Sequence, residues 1–191
     1  MDVHLEEAAL LGMLVASAEV YKKECYGVLL GYRLSDRFIV SGALPYQSAD
    51  RKSSEVFLRP GRRKVVESVL RNIPKYRVLG EFHSHPMFGD KRATIRLGPL
   101  DAVDMGGKDV QILVAINDRT RNQKWREKAD GSISGTFGEH HLNIGAYYYP
   151  SFQKKGSPML GRIHCPFVST LDSVGLNGRA AVNGRRHRFV G

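Results

Sequence analysis

The chain is poor in cysteine. Only Cys25 and Cys165 occur among 191 residues, far apart in sequence. That excludes a disulfide framework and points to a reducing, intracellular setting. No apolar run approaches the length of a membrane span, so no membrane partner is expected. The opening Met1-Asp2-Val3-His4-Leu5-Glu6-Glu7 is acidic and does not fit a signal peptide, and a cytoplasmic location follows as the expectation. Negative charge is also scarce. Asp and Glu number 19 against 29 Lys and Arg, a net charge of +10. Such a balance favours acidic partners: nucleic acid, anionic lipid or an acidic protein. The basic residues gather at Arg59, Arg62, Arg63 and Lys64 and again at Arg179, Arg185, Arg186 and Arg188. No recognisable nucleic-acid module accompanies them, so nucleic acid ranks last among the partners and a solvated basic surface first.

The hydrophobic content of 42% is enough for one ordinary globular domain with a real core. Helical spacing runs over residues 4–20, with Leu5, Ala8, Ala9, Met13, Leu14 and Ala16 apolar. Tyr26 to Tyr32 and Arg37 to Leu44 read as strands joined by a hairpin turn at Leu34-Ser35-Asp36. Gly61 to Asn72 reads as a helix stopped by Pro74, and Tyr76 to His85 as a strand. Gly98 to Met105 is a short helix with Pro99 in its first turn, and Val110 to Ile116 is a strong strand. Residues 117–134 read as a polar loop or ragged hairpin, and Leu142 to Tyr149 as the last core strand. The character changes after Pro150. Residues 1–150 form the expected domain, and residues 151–191 a Gly- and Arg-rich C-terminal extension. This pattern predicts an α/β or α+β fold with a mixed sheet flanked by helices.

The richest stretch is Gly80-Glu81-Phe82-His83-Ser84-His85-Pro86. Residues two apart on a strand share a face, so His83 and His85 can aim at one point, as two nitrogen ligands of a metal must. Pro86 has no N–H for a ladder and is expected to end the pairing. A catalytic zinc needs a third protein ligand. Asp101 and Asp104 share a face of the predicted Gly98–Met105 helix, and either can reach the metal. A metal-activated water also needs a proton carrier. Glu24 stands at the entrance of the Tyr26 strand and can take that proton and return it to a leaving amine. Cys25 is expected to be a small buried core residue, and His140-His141 and His164-Cys165 lack the spacing of a zinc site. Trp125 and Tyr147-Tyr148-Tyr149 read as packing residues.

Three segments in order, Glu24 to Gly31, Gly80 to Pro86 and Leu97 to Met105, resemble the JAMM (MPN+) metalloprotease family. The resemblance covers residues 5–149. It implies a cytidine-deaminase-like fold and one zinc per chain. His83, His85 and Asp101 are then the zinc ligands and Glu24 the general acid/base. The implied reaction is hydrolysis of an amide, typically an isopeptide bond after the Gly-Gly tail of a ubiquitin-like protein. The alternative is a non-catalytic scaffold of the same fold. The chain departs from the family pattern twice. The serine that helps stabilise the oxyanion falls at Gly98, where only a backbone N–H at the helix start can substitute. Fifteen residues separate His85 from Asp101, more than the family usually has. The excess lies in Met87–Leu97 and reads as a flap or substrate loop, with Thr94 and Asp90 as fallbacks for the serine and the third ligand.

Overall fold

The computed structural model describes residues 1–47, 50–51, 56–57, 60–73, 75, 77–105, 109–150 and 156–177. Its elements in order are β1 (Asp2–Leu5), α1 (Glu7–Glu19), β2 (Tyr26–Arg33), β3 (Arg37–Pro45), β4 (Asp50–Arg51), β5 (Val56–Phe57), α2 (Pro60–Arg71), β6 (Arg77–Pro86), α3 (Pro99–Asp104), β7 (Val110–Asp118), β8 (Arg126–Glu127), β9 (Ile133–Phe137), β10 (His140–Tyr148), β11 (Met159–His164) and α4 (Val168–Asn177). Nine strands form one mixed sheet in the order β11-β1-β3-β2-β6-β7-β10-β9-β8. β11 lies parallel to β1 on one side and antiparallel to β10 on the other, so the sheet curls and closes on itself. The mixed α+β class expected from the sequence is the observed one.

Alternation along the strands sorts the apolar residues to two faces. The inner face carries the main core, with Phe38, Val40, Leu29, Phe82, Ile112, Val114 and Ile144 packed together. α1 lies against this face. Ala9, Leu10, Met13, Leu14, Ala16 and Ser17 are all buried, because the curled sheet encloses the helix on more than one side. The outer face has two smaller covers. Leu70 and Val66 of α2 pack on Val28 and Leu30, and Ile95 with Ala93 and Leu97 packs on Leu113 and Ala115.

Two expectations change and one is sharpened. The helix expected over residues 4–20 begins at Glu7, because Asp2–Leu5 forms a strand paired between β3 and β11. Pro86 ends the ladder as its last paired residue rather than lying beyond it. It is still in register with Ile116, and the Met87 N–H donates to the Ile116 carbonyl at 2.9 Å. The extension expected from residue 151 is corrected for residues 156–177. β11 closes the sheet, and Ile163, Cys165, Val168 and Leu171 enter the main core. The Arg179–Arg188 cluster lies outside the described residues, as do the side chains of Arg59, Arg62 and Arg63. No described helix is long and apolar enough to cross a membrane.

Candidate metal centre

β6 is flanked by antiparallel β2 and parallel β7. His83 sits opposite Tyr26 and Leu113, and His85 opposite Ala115, all on the outer face. The Tyr26 and His83 rings stack with centroids 6.5 Å apart. Beyond Tyr26 the two strands stay joined through Ser84. The Cys25 N–H donates to Ser84 Oγ at 2.8 Å, and the Ser84 N–H donates to the Cys25 carbonyl at 3.0 Å. Glu24 lies just ahead of β2, two residues before Tyr26. Cys25 itself is buried in the main core, as expected.

Asp101 is brought to the histidines by α3. His83 Nε2 lies 3.0 Å from His85 Nε2 and 3.4 Å from Asp101 Oδ1, and His85 Nε2 lies 3.7 Å from Asp101 Oδ2. Among the described residues, this is the group of three metal-ligating side chains that converges on one point. Tetrahedral zinc with bonds near 2.0–2.1 Å spaces its donors about 3.4 Å apart. The observed spacings bracket that value. His85 Nδ1 donates to the Thr94 carbonyl at 3.0 Å, which leaves Nε2 as the bare donor atom of the neutral ring. Burial and the neighbouring His83 push the His85 imidazole below its ordinary pKa, favouring the neutral form that binds metal. Burial works to raise the Asp101 carboxyl. The hydrogen bond and charge of His83, the Gly98 N–H and His85 outweigh it, and the carboxyl lies below its usual range. Two imidazole nitrogens and an ionised carboxylate facing one point are a donor set that a divalent cation satisfies.

The fallback ligand Asp90 does not join this group; it is exposed at the tip of the Phe88–Lys91 turn. The Asp104 side chain lies outside the described residues. Thr94 contributes its backbone carbonyl to His85, while its hydroxyl oxygen accepts from the Arg96 N–H at 3.4 Å. The Gly98 N–H, expected to be available to an oxyanion, donates to Asp101 Oδ2 at 2.9 Å. It orients the carboxylate instead.

The Met87–Leu97 segment is a strap laid across the sheet rather than a flap. Asn117 clamps Ala93 from both sides: Asn117 Oδ1 accepts the Ala93 N–H at 2.8 Å, and Asn117 Nδ2 donates to the Ala93 carbonyl at 3.2 Å. The Tyr147 hydroxyl donates to the Ile95 carbonyl at 2.9 Å, and the Tyr149 hydroxyl to the Ala102 carbonyl at 3.0 Å. The tyrosines expected only to pack therefore also anchor the strap and α3. Between these elements lies a groove of about 570 Å³ lined by Thr94, Arg96, Leu97, Gly98 and Tyr147. A larger groove of about 640 Å³ lies away from the donors, beside His4 and His164. His164 is held there by Asp2 at 3.2 Å and Glu127 at 3.8 Å, in keeping with a structural role.

Sequence reasoning missed Gln111. It is 1% exposed on β7, with Nε2 3.2 Å from His83 Nδ1. Its signal was a lone polar residue in the apolar run Val110 to Ile116.

The chain finds no match among curated proteins. In structure it is similar to protein DSY2949 from Desulfitobacterium hafniense, with a TM-score of 0.56 and 17% identity, over 85% of this chain and 92% of that one. That likeness supports the fold. Residues 1–94 match the model of the JAB1/Mov34/MPN/PAD-1 ubiquitin protease family, a stretch that holds Glu24, His83 and His85. By this match the N-terminal stretch, residues 1–94, belongs to the JAB1/Mov34/MPN/PAD-1 family, and the His83-His85-Asp101 group is compatible with it.

Proposed function

We propose that this protein is a zinc-dependent isopeptidase or peptidase that hydrolyses the amide bond after the Gly-Gly tail of a ubiquitin-like protein. The observation that carries this reading is the convergence of His83, His85 and Asp101 on one point. His83, His85 and Asp101 would hold a zinc ion, which when bound would supply the Lewis acidity to activate water and polarise the scissile carbonyl. Glu24 takes the proton from the attacking water and returns it to the departing amine. His85, fixed by the Thr94 carbonyl, and Asp101, fixed by the Gly98 N–H, keep the donor set in place through the cycle. The groove of about 570 Å³ beside Gly98 and Tyr147 is the place for the tail, and a Gly-Gly segment passes close to backbone without side-chain conflict.

A second reading, a non-catalytic module of the same fold, is favoured by one observation. Gly98 offers no hydroxyl, and its N–H is occupied by Asp101. Loss of one oxyanion donor costs about 10²–10³ in rate. The two readings part on one experiment. Wild type and Glu24→Gln, both with metal content measured, are incubated with a fusion joined through the Gly-Gly tail of a ubiquitin-like protein. The isopeptidase reading expects equal metal in both and cleavage by wild type that falls at least ~10²-fold in the variant. Full metal with no cleavage in either hands the protein to the scaffold reading.

A further inference from the structure

We infer that Gln111 is a positioning residue of the metal centre, its amide oxygen accepting the Nδ1–H of His83. The inference rests on the reading of His83 as a metal ligand and extends it to the residue that orients the ring. His83 Nε2 faces His85 and Asp101, so Nε2 is the atom a metal would take. A neutral imidazole bound through Nε2 carries its proton on Nδ1, and that N–H must be received by an acceptor. The group at His83 Nδ1 is the Gln111 side-chain amide, at 3.2 Å. Its nitrogen faces the ring, and Gln111 Oε1 is buried with no hydrogen-bond partner. The two ends of a carboxamide have the same shape, so which end faces the ring is settled by the hydrogen bonds each can make. A half-turn of the amide puts the stranded oxygen against Nδ1–H. It turns two opposed donors into a donor and an acceptor. Glu81 is buried and is the register partner of Gln111, so it lies on the same face of the sheet.

His85 already shows the same device, with the Thr94 carbonyl as acceptor. The pair would then be supported symmetrically, one ring by the strap and one by β7. Acceptors of this kind typically shift metal affinity by about 10–100-fold when removed.

The test compares zinc affinity, by competition with a chromophoric chelator, in wild type, Gln111→Leu and Gln111→Glu. Far-ultraviolet circular dichroism of each metal-free protein checks that it is folded. A glutamate keeps an acceptor in place and cannot donate; a leucine keeps bulk and offers neither. The expected result is a loss of about 10–100-fold in the leucine variant and affinity within about threefold of wild type, or tighter, in the glutamate variant. Equal affinity in wild type and the leucine variant overturns the inference, and so does a glutamate variant as weak as the leucine one. Should the leucine variant fail to fold, the glutamate variant decides alone, because a donor role for Gln111 would be lost in it. A wild type that takes up no zinc overturns the metal reading itself, an outcome distinct from the other failures.

Discussion

At the scale of the residue, the centre is a set of lone pairs held against one another. His83 Nε2 and His85 Nε2 stand 3.0 Å apart with the Asp101 carboxylate beside them. Each member is oriented by a group that has no part in ligation: Thr94 for His85, Gly98 for Asp101 and Gln111 beside His83. Gly98 is the residue where the family pattern calls for serine, and restoring the hydroxyl is not neutral. A Cβ on Gly98 would stand 2.9 Å from Asp101 Oδ2, so the carboxylate must move to admit it. The backbone there, φ −75° and ψ 161°, accepts any residue, so the conflict is with the ligand alone. Gly98→Ser is therefore expected to weaken zinc binding and to fall short of the ~10²–10³ rise in turnover that an added oxyanion donor brings. Zinc titration and turnover on the Gly-Gly fusion check this together. A rise of that full size with unchanged affinity would show that the carboxylate yields freely.

At the scale of the element, the strap before α3 decides whether the site exists. Asp101 is carried in by a helix of six residues, too short to hold its own position. It is held because the strap is tied down ahead of it by Asn117 and Tyr147, and Ile95 is buried on Leu113 and Ala115. Asn117 is 3% exposed, and its amide answers both the N–H and the carbonyl of Ala93. Asn117→Ala leaves both backbone groups without that partner, at a cost for each below the about 1–3 kcal/mol of a fully buried unsatisfied group, because Ala93 is half-buried. The variant is expected to unfold at lower denaturant and to bind zinc more weakly, since Thr94 follows directly on the loosened residue. A chemical-denaturation curve with zinc titration reads both. Reduced stability with full zinc affinity would mean the strap is held by Ile95 and Tyr147 alone.

At the scale of the whole molecule, the closed sheet ties its first strand to its last. β1 near the N-terminus lies between β3 and β11, and the Met1 amino group donates to the Tyr148 hydroxyl at 3.0 Å. β11 is thus a staple between the first strand and β10, and its loss would open the sheet and expose the core around Val3, Phe38 and Ala146. A chain ending at Pro150 is expected to lack cooperative unfolding and fixed aromatic packing, although it spans all the proposed site residues. Near-ultraviolet circular dichroism and a thermal melt test this. A truncated chain with a native-like melt would show that β11 and α4 are accessory.

What the sequence determined by itself is what depends on neighbours along the chain. The His83-x-His85 pair shares a face because strand alternation is local, and the order of Glu24, the histidine strand and the Asp101 segment was enough to suggest the family. The long strands β2, β3, β6, β7 and β10 were legible for the same reason, each being long enough to show its period, whereas the two-residue strands β4, β5 and β8 and the short β9 were not. Asp2–Leu5 was not, since four residues ahead of a helix blend into its spacing. What the tertiary structure decided depends on residues far apart in sequence. The choice of Asp101 over Asp90 came from the strap's path across the sheet, and the placing of Gln111 against His83 from the register of two parallel strands. β11 looked like a tail because its pairing partners lie near the two ends of the core sequence, and only closure of the sheet brings them to it.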